Sequence, residues 1–149
     1  MEKSIEGIMP YLEQAFNLPK VDIRTYSPLV LAYIGDGIYD IIIRTIIVTK
    51  GNSQPNKLHK RTSRLVKASA QSAMIEAVME ELSEEERKIY KRGRNAKSAT
   101  VAKNASMVDY RRATGFEALM GYLYLQGQFE RMIDLIKSGL EKSELEAEK

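Results

Sequence analysis

Apolar positions recur about every 3.6 residues along most of this 149-residue chain, and period-two alternation is almost absent. The pattern predicts an all-α fold. Ser27 followed by Pro28 supplies an N-cap and a first-turn proline, opening a long helix that the apolar spacing carries to about Thr49, ahead of Gly51. The loop 51–54 and Pro55 lead into helical segments through Leu58, Leu65, Ala68 and Met74 toward Leu82. Ser83 with Glu86 three residues on reads as a capping box for a short helix ending at Gly93. Residues 93–105 read as a basic loop. Ser106 with Asp109 starts another helix, running through Glu117 to Leu125, and a last one spans about 129–141. The expected organisation is one domain, with an N-terminal helical segment at 1–26, a main body at 27–141 and a charged tail at 142–149.

Two acids interrupt the apolar pattern. Asp36 sits inside Leu31-Ala32-Tyr33-Ile34-Gly35-Asp36-Gly37-Ile38-Tyr39, and Glu117 inside Gly115-Phe116-Glu117-Ala118-Leu119-Met120-Gly121. An ionised side chain buried without a partner costs several kcal/mol, so such a group is paired, bound to a metal or neutralised. Gly35 and Gly37 each disfavour a helix by about 1 kcal/mol relative to alanine, and close approach of another backbone is the usual compensation. With Gly115 and Gly121 near Glu117, this predicts that the two acid-bearing helices cross tightly and share an ion. Taken singly, each acid reads equally well as an ion pair between helices.

Composition narrows the setting. The stretch 29–48 is apolar enough to raise a membrane question, but Asp36, Asp40 and Arg44 would fall on one helix face. Each would oppose insertion by about 2.5–3.5 kcal/mol, so the segment reads as a soluble helix. No cysteine is present and the start Met-Glu-Lys-Ser lacks an apolar signal core, making a cytoplasmic location the expectation. The net charge of +3 hides an asymmetry: residues 50–103 hold 13 Lys and Arg against 6 Asp and Glu. A basic block of this kind suits a phosphate backbone, whose condensed counterions are released on binding. Solvated helix faces are the plainer reading.

Tyr33-Ile34-Gly35-Asp36, then Lys91-Arg92-Gly93-Arg94-Asn95-Ala96-Lys97-Ser98, then Asp109-Tyr110-Arg111-Arg112-Ala113-Thr114-Gly115-Phe116-Glu117-Ala118-Leu119 together resemble the ribonuclease III family. The closest likeness is to its small members, the Mini-ribonucleases III, which lack a separate double-stranded-RNA-binding domain; it covers roughly 27–140. The resemblance implies a ribonuclease III-type catalytic domain in which Asp36 and Glu117 match the family's catalytic aspartate and glutamate and hold Mg2+, with Mn2+ as a substitute. Magnesium needs only one or two carboxylates beside waters and a substrate phosphate, so two acids suffice. Larger members carry further carboxylates where this chain has Leu29, Ala32 and Thr114. Asp40 is a candidate supporting contact or a surface ion pair, and His59, the single histidine, is left outside the site.

Arg92, Arg94, Asn95 and Lys97 are candidate phosphate contacts, with Arg111 and Arg112 as a clamp on the scissile strand. The alternative for these cations is salt bridges to Glu84, Glu85 and Glu86. The implied substrate is double-stranded RNA, recognised by shape and phosphates, in particular precursor 23S ribosomal RNA. The implied assembly is a homodimer, with Ile38, Ile41, Ile42, Ile46 and Ile47 as part of the joining face and a ribosomal protein as a candidate accessory partner. Two rival readings are a non-catalytic RNA-binding assembly factor and a helical protein-interaction domain.

Overall fold

The computed structural model describes residues 5–96 and 106–145, and the side chains among them from Gly7 onward. Among these residues seven α-helices appear and no strand: α1 (Ile5–Ala15), α2 (Pro28–Lys50), α3 (Pro55–Val66), α4 (Ala68–Val78), α5 (Glu84–Asn95), α6 (Met107–Leu125) and α7 (Phe129–Lys142). Short 3₁₀ turns stand at Ile23–Thr25 and Met79–Glu81.

The helix starts follow from local side chains. Ser27 accepts from the Val30 amide at 3.2 Å and Pro28 occupies the first turn of α2. Ser83 accepts from the Glu86 amide at 3.1 Å while the Glu86 carboxylate accepts from the Ser83 amide at 2.8 Å, closing the capping box of α5. The same Glu86 carboxylate takes Arg131 at 2.8 and 2.9 Å and so ties α5 to α7. Ser106 caps α6 by accepting from Asp109 at 3.0 Å. Helix α5 runs past Gly93 to Asn95, so Arg92, Arg94 and Asn95 lie on its last turn and not in the expected loop.

Helix α6 is the axle of the fold. Residues from Ala113 to Leu123, Glu117 excepted, are buried in sequence, as befits a helix with α2, α4, α5 and α7 packed around it. Two crossings are too close for side chains. A Cβ on Gly35 would stand 1.7 Å from the Glu117 carbonyl oxygen, and one on Gly121 would stand 2.0 Å from the Leu31 carbonyl oxygen, so α2 and α6 touch backbone to backbone. The second crossing joins α5 to α6, where a Cβ on Gly93 would meet the Gly115 Cα at 2.9 Å. The expected tight crossing of α2 and α6 is therefore present, but it rests on Gly35 and Gly121. Gly115 faces α5 instead, and among the described residues nothing lies within 4 Å of a Cβ on Gly37.

Around this crossing the core closes with Tyr39 and Phe116 edge to face at 5.2 Å. The Tyr39 hydroxyl donates to the Leu65 carbonyl at 2.7 Å. Of the isoleucines read as a dimer face, Ile38, Ile42 and Ile47 belong to this core and Ile46 packs against it; Ile41 alone is exposed, at 52%. A long helix that is apolar nearly all round does not announce its phase, and the core has taken the larger share.

Candidate active site

Gly35 and Glu117 meet at the crossing, which brings the side chain of Asp36, one residue on, beside that of Glu117. When Glu117 is protonated it shares a hydrogen bond with Asp36. The environment differs from the one the sequence suggests. Asp36 is exposed, whereas Glu117 is the more enclosed of the two. The apolar run around Asp36 buries its neighbours Leu31, Ala32, Ile38 and Tyr39 and turns the acid outward.

Burial first, and then the negative charge and hydrogen bond of Asp36, push the Glu117 carboxyl up to about 8. An opposing hydrogen bond from Gln71 favours the ionised form. Two carboxylates that repel one another in a half-enclosed pocket favour a cation between them. Gln71, on α4, completes the inner wall. It is 1% exposed, donates through Nε2 to the Val66 carbonyl at 2.8 Å and to Glu117 Oε2 at 3.3 Å, and leaves its own Oε1 buried with no partner. An unpaired buried acceptor costs about 1–3 kcal/mol. The donor set is entirely oxygen, which suits a hard cation such as Mg2+. No group of three or more His, Cys, Asp or Glu fit for a metal occurs among the described residues, so waters and substrate phosphate would complete its shell.

The three positions that carry further acids in larger relatives offer none here. Ala32 is buried, Leu29 is exposed, and the buried Thr114 donates its hydroxyl to the Tyr110 carbonyl at 3.0 Å. Asp40 is engaged in a surface ion pair with Arg44 at 2.7 Å. His59 is exposed on α3 beside a small pocket with Arg44, Ile47 and Leu58.

The expected RNA contacts separate into two groups. Arg94, Asn95, Arg111 and Arg112 line one open groove of about 440 Å³ between the end of α5 and the start of α6, together with Lys91, which sequence reasoning did not single out. Arg94 lies over the Tyr90 ring, 5.7 Å from its centre, and donates to Asn95 at 3.2 Å. Arg112 pairs with Glu76 at 2.8 Å, a half-exposed bridge worth about 0–1 kcal/mol that a phosphate can displace. Arg92 is not in the groove and donates to the Tyr26 carbonyl at 3.4 Å. Lys97 lies outside the described residues. Two acids of the Glu84–Glu86 run are engaged elsewhere among the described residues: Glu86 takes Arg131 and Glu85 accepts from the Tyr122 hydroxyl at 2.9 Å.

Gln71 was the residue that sequence reasoning missed. Its signal was nonetheless present, because Gln71 shares helical spacing with Met74, Ile75 and Val78, a face that is otherwise apolar and buried.

Comparison with known proteins shows the family. Residues 29–128 match the family model of the ribonuclease III domain, a span that includes both acids and the groove. A Mini-ribonuclease 3 from Clostridium tetani is 55% identical over 119 residues, 79% of each chain. One from a Thermoanaerobacter species is 49% identical over 137 residues, covering 92% of this chain and 94% of its own. The crystal structure of a Fusobacterium nucleatum protein superposes with a TM-score of 0.74 at 31% identity, over 82% of this chain and 98% of that one. With its two acids at a glycine-mediated helix crossing and its relatives agreeing over most of their length, the chain belongs to the ribonuclease III family, among the Mini-ribonuclease 3 endoribonucleases.

Proposed function

We propose that this endoribonuclease hydrolyses phosphodiester bonds in double-stranded RNA with Mg2+ held by Asp36 and Glu117, and that its cellular task is maturation of precursor 23S ribosomal RNA in the cytoplasm. The observation that carries the reading is the Asp36–Glu117 pair, two carboxylates brought together by backbone contact, with no cation among the described residues acting on Glu117. A divalent ion held by Asp36 and Glu117 would supply activation of water for attack on phosphorus and stabilisation of the charge that builds on the phosphate and leaving oxygens. The chain's own part is positional. Asp36 and Glu117 fix the place of the reaction, and Arg94, Arg111 and Arg112 on the nearby helices α5 and α6 grip backbone phosphates.

A homodimer supplies the second active site needed to nick both strands. On α2 the exposed Val30, Tyr33, Ile41 and Val48 fall on one face, with the open Gly37 between Tyr33 and Ile41. Tyr33 is 82% exposed, which within one chain leaves a large aromatic surface in water. A second copy of α2 packed on this stripe explains both Tyr33 and Gly37. A ribosomal protein acting as an accessory partner is compatible with this arrangement.

The test is incubation of the purified chain with long double-stranded RNA, with and without Mg2+, for the parent, Asp36→Asn and Glu117→Gln. Fragments are expected only with the parent and metal, while the two variants still fold and bind duplex. Cleavage by either variant at more than about a tenth of the parent rate overturns the assignment, since losing a metal ligand raises the barrier by at least a few kcal/mol.

A further inference from the structure

The Gln71 side-chain amide has two hydrogens, and both are used, one on the Val66 carbonyl and one on Glu117 Oε2. The Val66 carbonyl can only accept, which fixes which end of the amide is nitrogen. Oε1 is therefore a true leftover acceptor, one amide carbon away from the nitrogen that holds Glu117. The face of α4 that carries it is otherwise apolar, with Met74, Ile75 and Val78 all buried, so a leucine at 71 would suit the packing and remove the unpaired oxygen, though it would leave the Val66 carbonyl and Glu117 without their donor. A buried acceptor without a donor in a native fold calls for an explanation. No donor among the described residues reaches Oε1, so the missing partner is a cation or a water that it orients.

We propose that Gln71 is a positioning residue of the metal centre, its Nε2 holding the Glu117 carboxylate in place and its Oε1 supplying a third oxygen acceptor to a divalent cation at Asp36 and Glu117. The proposal rests on the reading of those two acids as the metal site, and goes beyond it by adding an uncharged member. Support from outside the ligand carboxylates commonly governs metal affinity, and its loss weakens binding by about 10- to 100-fold. An uncharged acceptor also adds no further negative charge to a pocket where two carboxylates already repel, which a third acid would.

The experiment is Mn2+ binding to the full chain without RNA, followed by electron paramagnetic resonance of the free ion and by calorimetry. The parent is compared with Gln71→Leu, Gln71→Met, Gln71→Glu, Asp36→Asn and Glu117→Gln, with thermal melting of each metal-free variant alongside. Gln71→Leu and Gln71→Met are expected to weaken Mn2+ by about 10- to 100-fold while remaining folded. Gln71→Glu keeps an oxygen in the place of Oε1 but loses the donor to Val66 and Glu117, so it is expected to bind Mn2+ more tightly than the leucine and methionine variants and more weakly than the parent. Should the leucine variant fail to fold, the methionine variant, closer in length and flexibility, carries the comparison. Parent-like Mn2+ affinity in Gln71→Leu or Gln71→Met, with binding lost in Asp36→Asn and Glu117→Gln, overturns the role of Gln71 alone and leaves it a packing residue. Parent-like affinity in Asp36→Asn and Glu117→Gln overturns the metal site itself.

Discussion

Replacing Gly35 by alanine tests whether backbone contact sets the site. The new Cβ would stand 1.7 Å from the Glu117 carbonyl oxygen and 2.8 Å from the Gly121 amide nitrogen, where real Cβ contacts do not fall below 3.0 Å. Neither neighbour is a flexible side chain, so α2 and α6 must move apart by about 1.3 Å or more. Overpacking costs about 1–3 kcal/mol where a side chain can yield and, between two backbones that cannot, about 3–5 kcal/mol, while alanine returns about 0.5–1 kcal/mol of helix preference. The net expectation is a loss of about 2–4 kcal/mol. At roughly 2–4 °C per kcal/mol for a domain of this size, the melting temperature should fall by about 5–15 °C. Because Asp36 is the next residue, Mn2+ affinity should fall with it. Circular dichroism melting at fixed protein concentration, with and without Mn2+, measures both. Gly51→Ala, where nothing lies within 4 Å, is the control and should stay within about 0.5 kcal/mol of the parent. A Gly35→Ala chain as stable as Gly51→Ala, with unchanged Mn2+ affinity, would show that the crossing is not what holds the acids together.

The raised Glu117 carboxyl makes the metal-free fold pH-sensitive: the folded state binds more protons than the unfolded between 4.5 and about 8, so this stabilisation is complete below 4.5 and is lost as pH rises through 8. Urea unfolding should therefore find Glu117→Gln more stable than the parent above pH 8, by roughly 2–4 kcal/mol after allowance for partial exposure, and the reverse order there would refute the linkage. In the groove, alanine at Arg94, Arg111 and Arg112 should lower the slope of log affinity against log salt by a little under about 1 per phosphate contact, by analogy with duplex DNA, whereas Arg92→Ala, on the evidence of its bond to Tyr26, should leave it unchanged. On the exposed stripe, Tyr33→Lys should convert the dimer to a monomer of 16.9 kDa by light scattering without lowering helix content, and a parent that is itself monomeric at micromolar concentration would refute the dimer.

What the sequence made legible was local. Ser27 with Pro28, the Ser83–Glu86 box and Ser106 are signals confined to one turn, and each helix start falls where its cap stands. The two acids stood out because charge is rare in apolar runs, and their pairing followed from the glycines. The phase of α2 was not legible: with apolar residues nearly all round, Ile38, Ile42 and Ile47 could not be told from Ile41 before the partners of α2 were known. For the same reason Asp36 read as a buried acid and proved exposed. Gly93 looked like a helix end because its fit against Gly115 and Ala118, which lets α5 continue to Asn95, is a contact between distant segments. The separation of Arg92 from the other cations depends likewise on where Tyr26 lies.

The contact between Gly35 and the Glu117 carbonyl also bears on motion. Side chains in a core hop between rotamers, and a gap bridged by side chains breathes with them. Here the two main chains abut, and no rotamer lies between them to change. The distance between the acid-bearing backbones can vary only by displacement of whole helices, a collective event held down by everything packed around α6. Local opening of the domain should begin elsewhere, in α1 and the residue after it, where Tyr11 and Phe16 are each 70% accessible, with the amides at the α2–α6 crossing among the slowest to exchange. The juxtaposition of the two acids is then as durable as the fold itself, and warming the protein should part them only when the domain as a whole comes apart.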